Sequence, residues 1–227
     1  YIIYSMEDFF SKFSKYNFWD NHVPKLGFLR QGYLDRILQY CDNSLIKVLV
    51  GQRRTGKSYL LRQIAHHLMQ QGVSPKNIFF VNKEFIEFDE IRDYTDLDQL
   101  VKRYVDELKP IGKIYLFIDE IQNIQQWERL INSYAQNYSE NYEIFISGSN
   151  SNMLSGELAS LLSGRFLSFE IYPFSYAEFV GINALSIQKE SYVSYIQHGG
   201  LPELFSLPNE ETRQHYVSAV KDTVLLR

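Results

Sequence analysis

The octapeptide at residues 51–58 has the residue types and spacing that bind the phosphates of a nucleotide. It matches the pattern G-x-x-x-x-G-K-[ST] at every specified position, and a chance match is expected in roughly 1% of chains of this length. Glycines let successive backbone N–H groups point inward at the phosphates, and the N-terminus of a following helix attracts the same anion. The predicted phosphate-binding residues are Gly51, Gln52, Arg53, Arg54, Thr55, Gly56, Lys57 and Ser58.

A second motif supplies two carboxylates, Asp119 and Glu120, at the end of the apolar run Ile114–Ile118. Asp119 is predicted to hold Mg²⁺, directly or through a water, together with the hydroxyl of Ser58. Glu120 is predicted to orient or deprotonate the attacking water, while Lys57 contacts the β and γ phosphates. The alternative interpretation is a solvated Asp-Glu turn, which is common at strand ends.

The glutamate also bears on the nucleotide and the reaction. A water-activating glutamate favours hydrolysis over phosphoryl transfer to a small molecule. GTPases usually carry an Asn-Lys-x-Asp motif that binds guanine, and the segment Asn82-Lys83-Glu84-Phe85 lacks the final Asp. The sequence therefore predicts ATP and Mg²⁺ as cofactors and ATP hydrolysis as the activity.

Short apolar runs alternate with helical patterns from residue 45 onward, which is typical of a parallel sheet covered on both faces. Ligands of such sheets bind beyond the carboxyl ends of the strands, and both motifs fall there. We therefore predict an α/β, P-loop NTPase fold with a parallel five-stranded sheet flanked by helices and a small C-terminal helical part. Strands are expected at 45–50, 78–81, 114–118, 144–146 and 166–171, and helices at 33–41, 57–71, 96–109, 126–139, 153–162, 175–180, 186–198 and 210–227.

The pattern also predicts a division of the chain. Residues 1–172 are expected to form the P-loop ATPase core with an N-terminal lead-in, and residues 173–227 a helical lid or the start of a truncated C-terminal domain. The chain begins at Tyr1 and ends within a helical pattern that has no stop signal, so a longer parent protein is expected.

The composition is that of a globular protein, with 45% hydrophobic and 22% charged residues. A net charge of −4 lacks the basic excess of duplex-binding domains, so nucleic acid is not the default partner. The single cysteine, Cys41, excludes a disulfide within the chain. No run approaches the roughly 18 apolar residues of a membrane span and the start lacks a signal-peptide pattern, so we expect a cytoplasmic protein without membrane contact.

Together with later segments, these motifs resemble those of the AAA-like ATPases of bacteria and archaea. The likeness covers roughly residues 30–227. One matching segment is Asp119-Glu120-Ile121-Gln122, whose acidic pair is shared with many ATPases, as is the glycine-rich loop. The segment that ends in Arg165 and the two matching segments after it are, taken together, specific to this group. The further matching segments are Trp127, Ser147-Gly148-Ser149, Leu162-Ser163-Gly164-Arg165, Pro173-Phe174-Ser175-Tyr176-Ala177-Glu178-Phe179 and Gly199-Gly200-Leu201-Pro202-Glu203.

The resemblance implies roles that spacing alone does not give. Ser149 or Asn150 corresponds to a sensor that hydrogen-bonds the γ-phosphate or the water; the alternative is a plain turn. Arg165 corresponds to an arginine finger that acts on a neighbouring subunit of a homo-oligomer; the alternative is a surface or ion-paired arginine. Gly199–Glu203 is interpreted mainly as a structural turn. Relatives usually continue into a further domain, so binding of nucleic acid by the parent protein stays open.

Three hypotheses on function follow from the sequence. The favoured one is Mg²⁺-dependent hydrolysis of ATP, coupled to conformational change in attached domains or partners. The second is a nucleotide-gated interaction module with negligible turnover. The third is ATP-dependent handling of DNA, which rests on the resemblance alone.

Overall fold

Five apolar runs form the parallel sheet that the sequence predicts, in a computed structural model that describes residues 6–20, 22–137, 141–149, 160–162 and 164–225. The strand order is β2-β3-β4-β1-β5 and every neighbouring pair is parallel. The predicted fold class is confirmed. The strands are β1 (Ile46–Val50), β2 (Ile78–Asn82), β3 (Ile114–Asp119), β4 (Tyr142–Gly148) and β5 (Phe166–Glu170), and the helices that accompany them are α1 (Met6–Ser14), α2 (Gln31–Leu38), α3 (Lys57–Gln70), α4 (Tyr94–Leu108) and α5 (Trp127–Ala135).

The strands β1, β2, β3 and β4 are buried along their whole length because the sheet has helices on both sides. Side chains alternate between the faces, and one face joins residues of α1, α4 and α5 in a continuous hydrophobic core. On the opposite face, the rings of Phe80, Phe117 and Phe145 stack across three adjacent strands. This packing fixes the strands that carry the acidic pair.

The register brings the carboxyl ends of four strands together at one end of the sheet, which we call the carboxyl edge. Asn82 pairs with Asp119, Ile118 with Ile146, and Val50 with Gly148. The last residues of β1, β2, β3 and β4 therefore lie side by side. This edge is where the sequence places both chemical motifs.

The N-terminal segment closes the outer edge of β2, which the sequence did not predict. The side-chain amide of Asn17 accepts a hydrogen bond from the backbone N–H of Phe80 (2.6 Å) and donates one to its carbonyl (3.3 Å). The indole N–H of Trp19 donates to the carbonyl of Ile78 at 2.8 Å. These side chains satisfy backbone groups that an edge strand otherwise leaves open.

A second compact unit comprises residues Gln52–Gly56 and Ile171–Arg227, whereas the remaining residues form the unit that contains the sheet. Its helices are α6 (Tyr176–Ile182), α7 (Lys189–His198) and α8 (Glu210–Leu225). A capping box between Ser175 and Glu178 begins α6. The functional division of the chain at residue 172 stays a prediction.

Within this second unit, two of the segments that carry the family resemblance touch each other. The N–H of Phe174 donates to the carbonyl of Gly200 at 2.6 Å, and the hydroxyl of Tyr195 donates to the carbonyl of Phe174 at 2.9 Å. A Cβ at position 200 would lie 2.1 Å from the Phe174 oxygen. Glycine at this position is therefore required by the close approach of another backbone.

The described helices bear on two expectations from the sequence. Most of the expected helix at 153–162 lies outside the described residues. Among the described helices, none is both long enough and apolar enough to cross a bilayer.

Candidate functional site

The glycine-rich loop follows β1 and leads into α3, as the phosphate-binding motif requires. Gly51 and Gly56 have φ angles of 145° and 93°, and Arg54 lies in the left-handed region at 67°. Lys57 is the first residue of α3 and is buried, with its ammonium donating to the carbonyl of Gly51 at 3.0 Å. The backbone therefore has the unusual conformations for which the motif selects glycine.

Residues 52–56 make their own contacts inside the second unit. The hydroxyl of buried Thr55 donates to the carbonyl of Gln52 at 3.0 Å. The guanidinium of Arg54 lies 5.3 Å from the centre of the Tyr216 ring on α8, within the range of a cation–π interaction. A Cβ at Gly56 would lie 3.7 Å from the Pro202 ring. The loop interior thus packs with the turn and helix near the C-terminal end of the described chain.

Asp119 ends β3 with its side chain completely buried. Ser147 and Ser58 donate hydrogen bonds from their hydroxyls to this carboxylate, and the Asn82 amide donates to Oδ2 at 3.0 Å. Burial raises the pKa of Asp119, while the hydrogen bonds from Ser147 and Ser58 act in the opposite direction. The two residues predicted to bind Mg²⁺, Ser58 and Asp119, are therefore in direct contact.

Glu120 follows in a left-handed turn, with φ of 54° and ψ of 49°. Its side chain is largely buried at 6% exposure. The hydroxyl of Ser149 donates to Oε2 of Glu120 at 2.8 Å, and the amide of Gln122 donates to the same oxygen at 2.5 Å. The turn therefore separates Glu120 from Asp119 and gives it different hydrogen-bond partners.

Three side chains at this edge have no role predicted from the sequence: Asn82, Ser147 and Gln122. Asn82 and Ser147 bond Asp119, and Gln122 bonds Glu120. The available signal was that Asn82 and Ser147 directly follow predicted strands, and that Ser147 and Gln122 stand in segments that carry the family resemblance. Of the two predicted sensors, Ser149 contacts Glu120, and Asn150 lies outside the described residues.

Arg165 lies at the other end of the sheet. It is exposed, directly precedes β5, and accepts a hydrogen bond from the N–H of Ile46 at the start of β1 (3.0 Å). Because β1 has five residues, this position is about 15 Å from the edge that carries Asp119. Arg165 is therefore not brought together with Lys57, Asp119 and Glu120 of its own chain.

Comparison with protein families assigns the chain to a family. The sequence model of the AAA domain matches residues 43–180, which include the glycine-rich loop, the acidic pair and Arg165. The chain belongs to the AAA domain family. A match over this range places the chain among the AAA-type P-loop ATPases by family and by fold.

Relatives of this chain occur in a bacterium and in an archaeon. An uncharacterized protein of Haemophilus influenzae is 38% identical over 203 residues, which are 87% of this chain and 49% of that protein. Uncharacterized protein MJ1544 of Methanocaldococcus jannaschii is 29% identical over 201 residues, or 80% of this chain and 41% of that protein. The chain spans about half the length of these relatives or less.

Solved structures share the fold of this AAA domain at low sequence identity. The Walker-type ATPase PABY2304 of Pyrococcus abyssi aligns with a TM-score of 0.54 and 16% identity over 80% of this chain and 68% of that one. The RuvB Holliday junction branch migration motor of Thermotoga maritima aligns with a TM-score of 0.51 and 18% identity, over 78% and 60% of the two chains. At these identities the likeness concerns the fold alone.

Proposed function

We propose that this AAA domain binds ATP with Mg²⁺ and hydrolyses the bond to the γ-phosphate. The observation that supports this proposal most directly is a hydrogen bond from Ser58 to Asp119. Ser58 lies in the first turn of α3, and Asp119 is fully buried at the end of β3. A buried carboxylate requires compensating charge. A cation placed between these two oxygens would supply that charge at the point where the phosphates are expected.

The residues around Asp119 fit Mg²⁺ by their chemistry. This ion prefers oxygen ligands, and it is usually bound by one or two protein groups, several waters and the phosphates of the substrate. Ser58 and Asp119 provide a hydroxyl and a carboxylate, and Asn82 orients the carboxylate from the neighbouring strand. Bound Mg²⁺ would neutralise charge that develops on the β and γ phosphates.

We assign phosphate binding to the loop Gly51–Ser58. The ammonium of Lys57, which donates to the Gly51 carbonyl, would turn to the β and γ oxygens, because charge-assisted hydrogen bonds to phosphate are stronger than those to a neutral carbonyl. The N–H groups of the loop interior and the N-terminus of α3 would bind the remaining oxygens. Arg53 and Arg54 add positive charge to the same loop.

We assign Glu120 as the base that orients or deprotonates the attacking water. We assign Ser149 or Asn150 to sensing the γ-phosphate or this water. Arg165 lies too far from the acidic edge of its own chain, so we assign it to the site of a neighbouring subunit in a homo-oligomer. There its guanidinium would stabilise negative charge on the γ-phosphate.

Calorimetric titration of ATP and of GTP, each with Mg²⁺, into the purified protein tests nucleotide binding. We expect ATP to bind in preference to GTP and Lys57→Ala to abolish binding, because the variant loses the charge that faces the phosphates. Lys76→Ala, an exposed lysine in the same unit, is the matched control and should bind as the unchanged protein does. Absence of ATP binding by the unchanged protein would reject the proposal.

Hydrolysis is tested separately by phosphate release from the full-length protein. Glu120→Gln is expected to lower kcat by about 10²–10⁴-fold, the range for loss of a general base, while ATP binding persists. Glu84→Gln, which removes an exposed carboxylate, is the control and should leave kcat unchanged. Equal turnover by Glu120→Gln and the unchanged protein would exclude Glu120 as the base.

A second candidate function is a nucleotide-gated interaction module with negligible turnover. The position of Arg165 at the far end of the sheet favours it, because a site that lacks a neighbour's arginine hydrolyses slowly. Stoichiometric ATP binding with background phosphate release by the intact oligomer would support this alternative. Multiple turnovers would exclude it.

A further inference from the structure

The carboxylate of Glu120 is held through one of its two oxygens only. The amide of Gln122 and the hydroxyl of Ser149 both donate to Oε2, at 2.5 and 2.8 Å. Among the described residues, Oε1 of Glu120 accepts no hydrogen bond. The polar atoms that are buried without a partner do not include this oxygen. The free oxygen is therefore the one that remains accessible to a water.

The two donors come from different parts of the sheet edge. Gln122 lies in the single 3-10 turn Ile121–Asn123 that follows β3, and Ser149 follows the end of β4. Buried Ile121 and Ile124 anchor the turn in the core. A carboxylate that accepts hydrogen bonds from two elements has a restricted orientation, and a general base must be held in a fixed orientation.

The other end of the Gln122 side chain makes no compensating bond. Its Oε1 is buried and has no hydrogen-bond partner among the described residues. A buried carbonyl without a hydrogen-bond partner lowers the stability of the fold. The only hydrogen bond of this side chain among the described residues is therefore the one that its N–H donates to Glu120, so the contact with Glu120 is what the amide contributes.

We propose that Gln122 is a positioning residue that orients Glu120 for attack by water on the nucleotide. Its N–H, with the Ser149 hydroxyl, fixes Oε2 and leaves Oε1 to accept the proton of the water. This inference rests on the proposed ATPase function. It adds a residue that the phosphate-binding loop and the acidic pair do not include.

The test measures kcat, the Kd for ATP and the melting temperature of the full-length protein and its Gln122→Leu variant. We expect kcat to fall about 10-fold or more, a part of the contribution of a general base. The Kd should stay within about twofold because the phosphate loop is unchanged. The melting temperature should change little, because removal of the unpartnered carbonyl offsets the loss of the hydrogen bond to Glu120. Gln125→Leu, a change at an exposed glutamine of the same loop, is the control and should leave kcat unchanged.

A second comparison uses the shared oxygen. Since both donors act on Oε2, the losses of kcat in Gln122→Leu and Ser149→Ala should not multiply in the double variant. A purely structural role for Gln122 would instead lower the melting temperature and weaken ATP binding along with kcat.

The outcomes distinguish the inference from the function beneath it. If the unchanged protein turns over ATP and Glu120→Gln does not, unchanged kcat in Gln122→Leu overturns the inference alone. If the unchanged protein and Glu120→Gln both release phosphate only at background, the proposed hydrolysis and the inference fall together. A combined loss of kcat, binding and stability in Gln122→Leu also overturns the positioning role.

Discussion

At the scale of single residues, Asp119 and Glu120 differ sharply although they are neighbours in the chain. Asp119 continues β3 and is fully buried, whereas Glu120 leaves the strand in a left-handed turn. A non-glycine residue in that conformation costs roughly 1–2 kcal/mol. The cost is offset by the surrounding hydrogen bonds, and the result is two carboxylates with separate partners and separate proposed roles.

The thiol of Cys41 provides a prediction about reactivity. Burial, followed by the charge of Glu143, raises its pKa from 9.0 to about 11. At pH 8 the folded protein should therefore react with iodoacetamide about 100-fold more slowly than the unfolded chain, because only the thiolate reacts. The pKa of Cys41 is higher in the folded protein than in the unfolded chain. The stability that depends on the protonated thiol is therefore present below pH 9 and is lost as the pH rises through about 11. Equal alkylation rates in buffer and in urea would contradict this prediction.

The buried ion pair of Lys47 and Glu143 provides a second prediction at this scale. Both side chains are completely buried, and Glu143 also contacts Lys113 at 3.3 Å. Lys47→Met should lower the free energy of unfolding by about 3 kcal/mol, because it leaves a buried carboxylate with a weaker partner. Lys102→Met removes an exposed pair with Asp98 and should cost less than about 0.5 kcal/mol. Urea unfolding of the two variants measures the difference, and equal losses would argue against a stabilising pair.

At the scale of elements, the turn at Gly200 fixes the path of the chain between α7 and α8. The preceding Gly199 has φ of 78° and Gly200 approaches the Phe174 backbone, while Pro202 begins a short 3-10 turn. The glycines thus have different reasons to be glycine. The first adopts a left-handed conformation, and the second has no space for a side chain.

Gly200→Ala should destabilise the second unit by roughly 1–3 kcal/mol, because the added methyl overlaps the Phe174 carbonyl and the backbone must shift. Hydrogen exchange at the Phe174 amide, which bonds Gly200, should become faster. Gly181→Ala is the control, since this glycine lies in α6 with no atom within 4 Å of an added Cβ, and alanine there favours the helix. Slower exchange in Gly200→Ala than in the control would refute the steric argument.

The elements also mark how far sequence reasoning extends. Gly51–Ser58 and the strand before Asp119 were predictable because both signals lie within a few adjacent residues. The contact of Asn82 with Asp119 was not, because it depends on β2 lying beside β3, and the strand order follows from packing of the whole sheet. Asn17 forms a hydrogen bond with Phe80, which lies 63 positions away in the sequence, and no local pattern predicts such a contact.

At the scale of the whole molecule, the two ends of the sheet carry different chemistry. The carboxyl edge holds Asp119 and Glu120, and the amino edge holds Arg165 and the buried Lys47–Glu143 pair. If Arg165 acts on a neighbour, the amino edge of one copy must face the carboxyl edge of the next. Such a contact joins two different surfaces, and repeated head-to-tail contacts generate rings or filaments.

Mixing two inactive variants tests this arrangement. Arg165→Ala and Glu120→Gln should each hydrolyse ATP slowly, and the finger alone is expected to contribute about 10³–10⁵-fold. The mixture should exceed the mean of the separate rates, because an intact Glu120 can then meet an intact Arg165 from another copy. Arg92→Ala, an exposed arginine outside both edges, should retain full activity by itself. A mixture that never exceeds the mean would locate any effect of Arg165 within its own chain.

The contacts of Asn17 and Trp19 with β2 carry a practical consequence for anyone who trims this protein. The AAA family model matches from residue 43, yet a fragment cut there would expose the backbone of β2 to other chains in solution. Aggregation of that fragment would say nothing about its competence in the intact protein. A fragment that keeps these contacts needs at least the 26 residues from Asn17 to Asp42 in addition to the stretch that the family model matches.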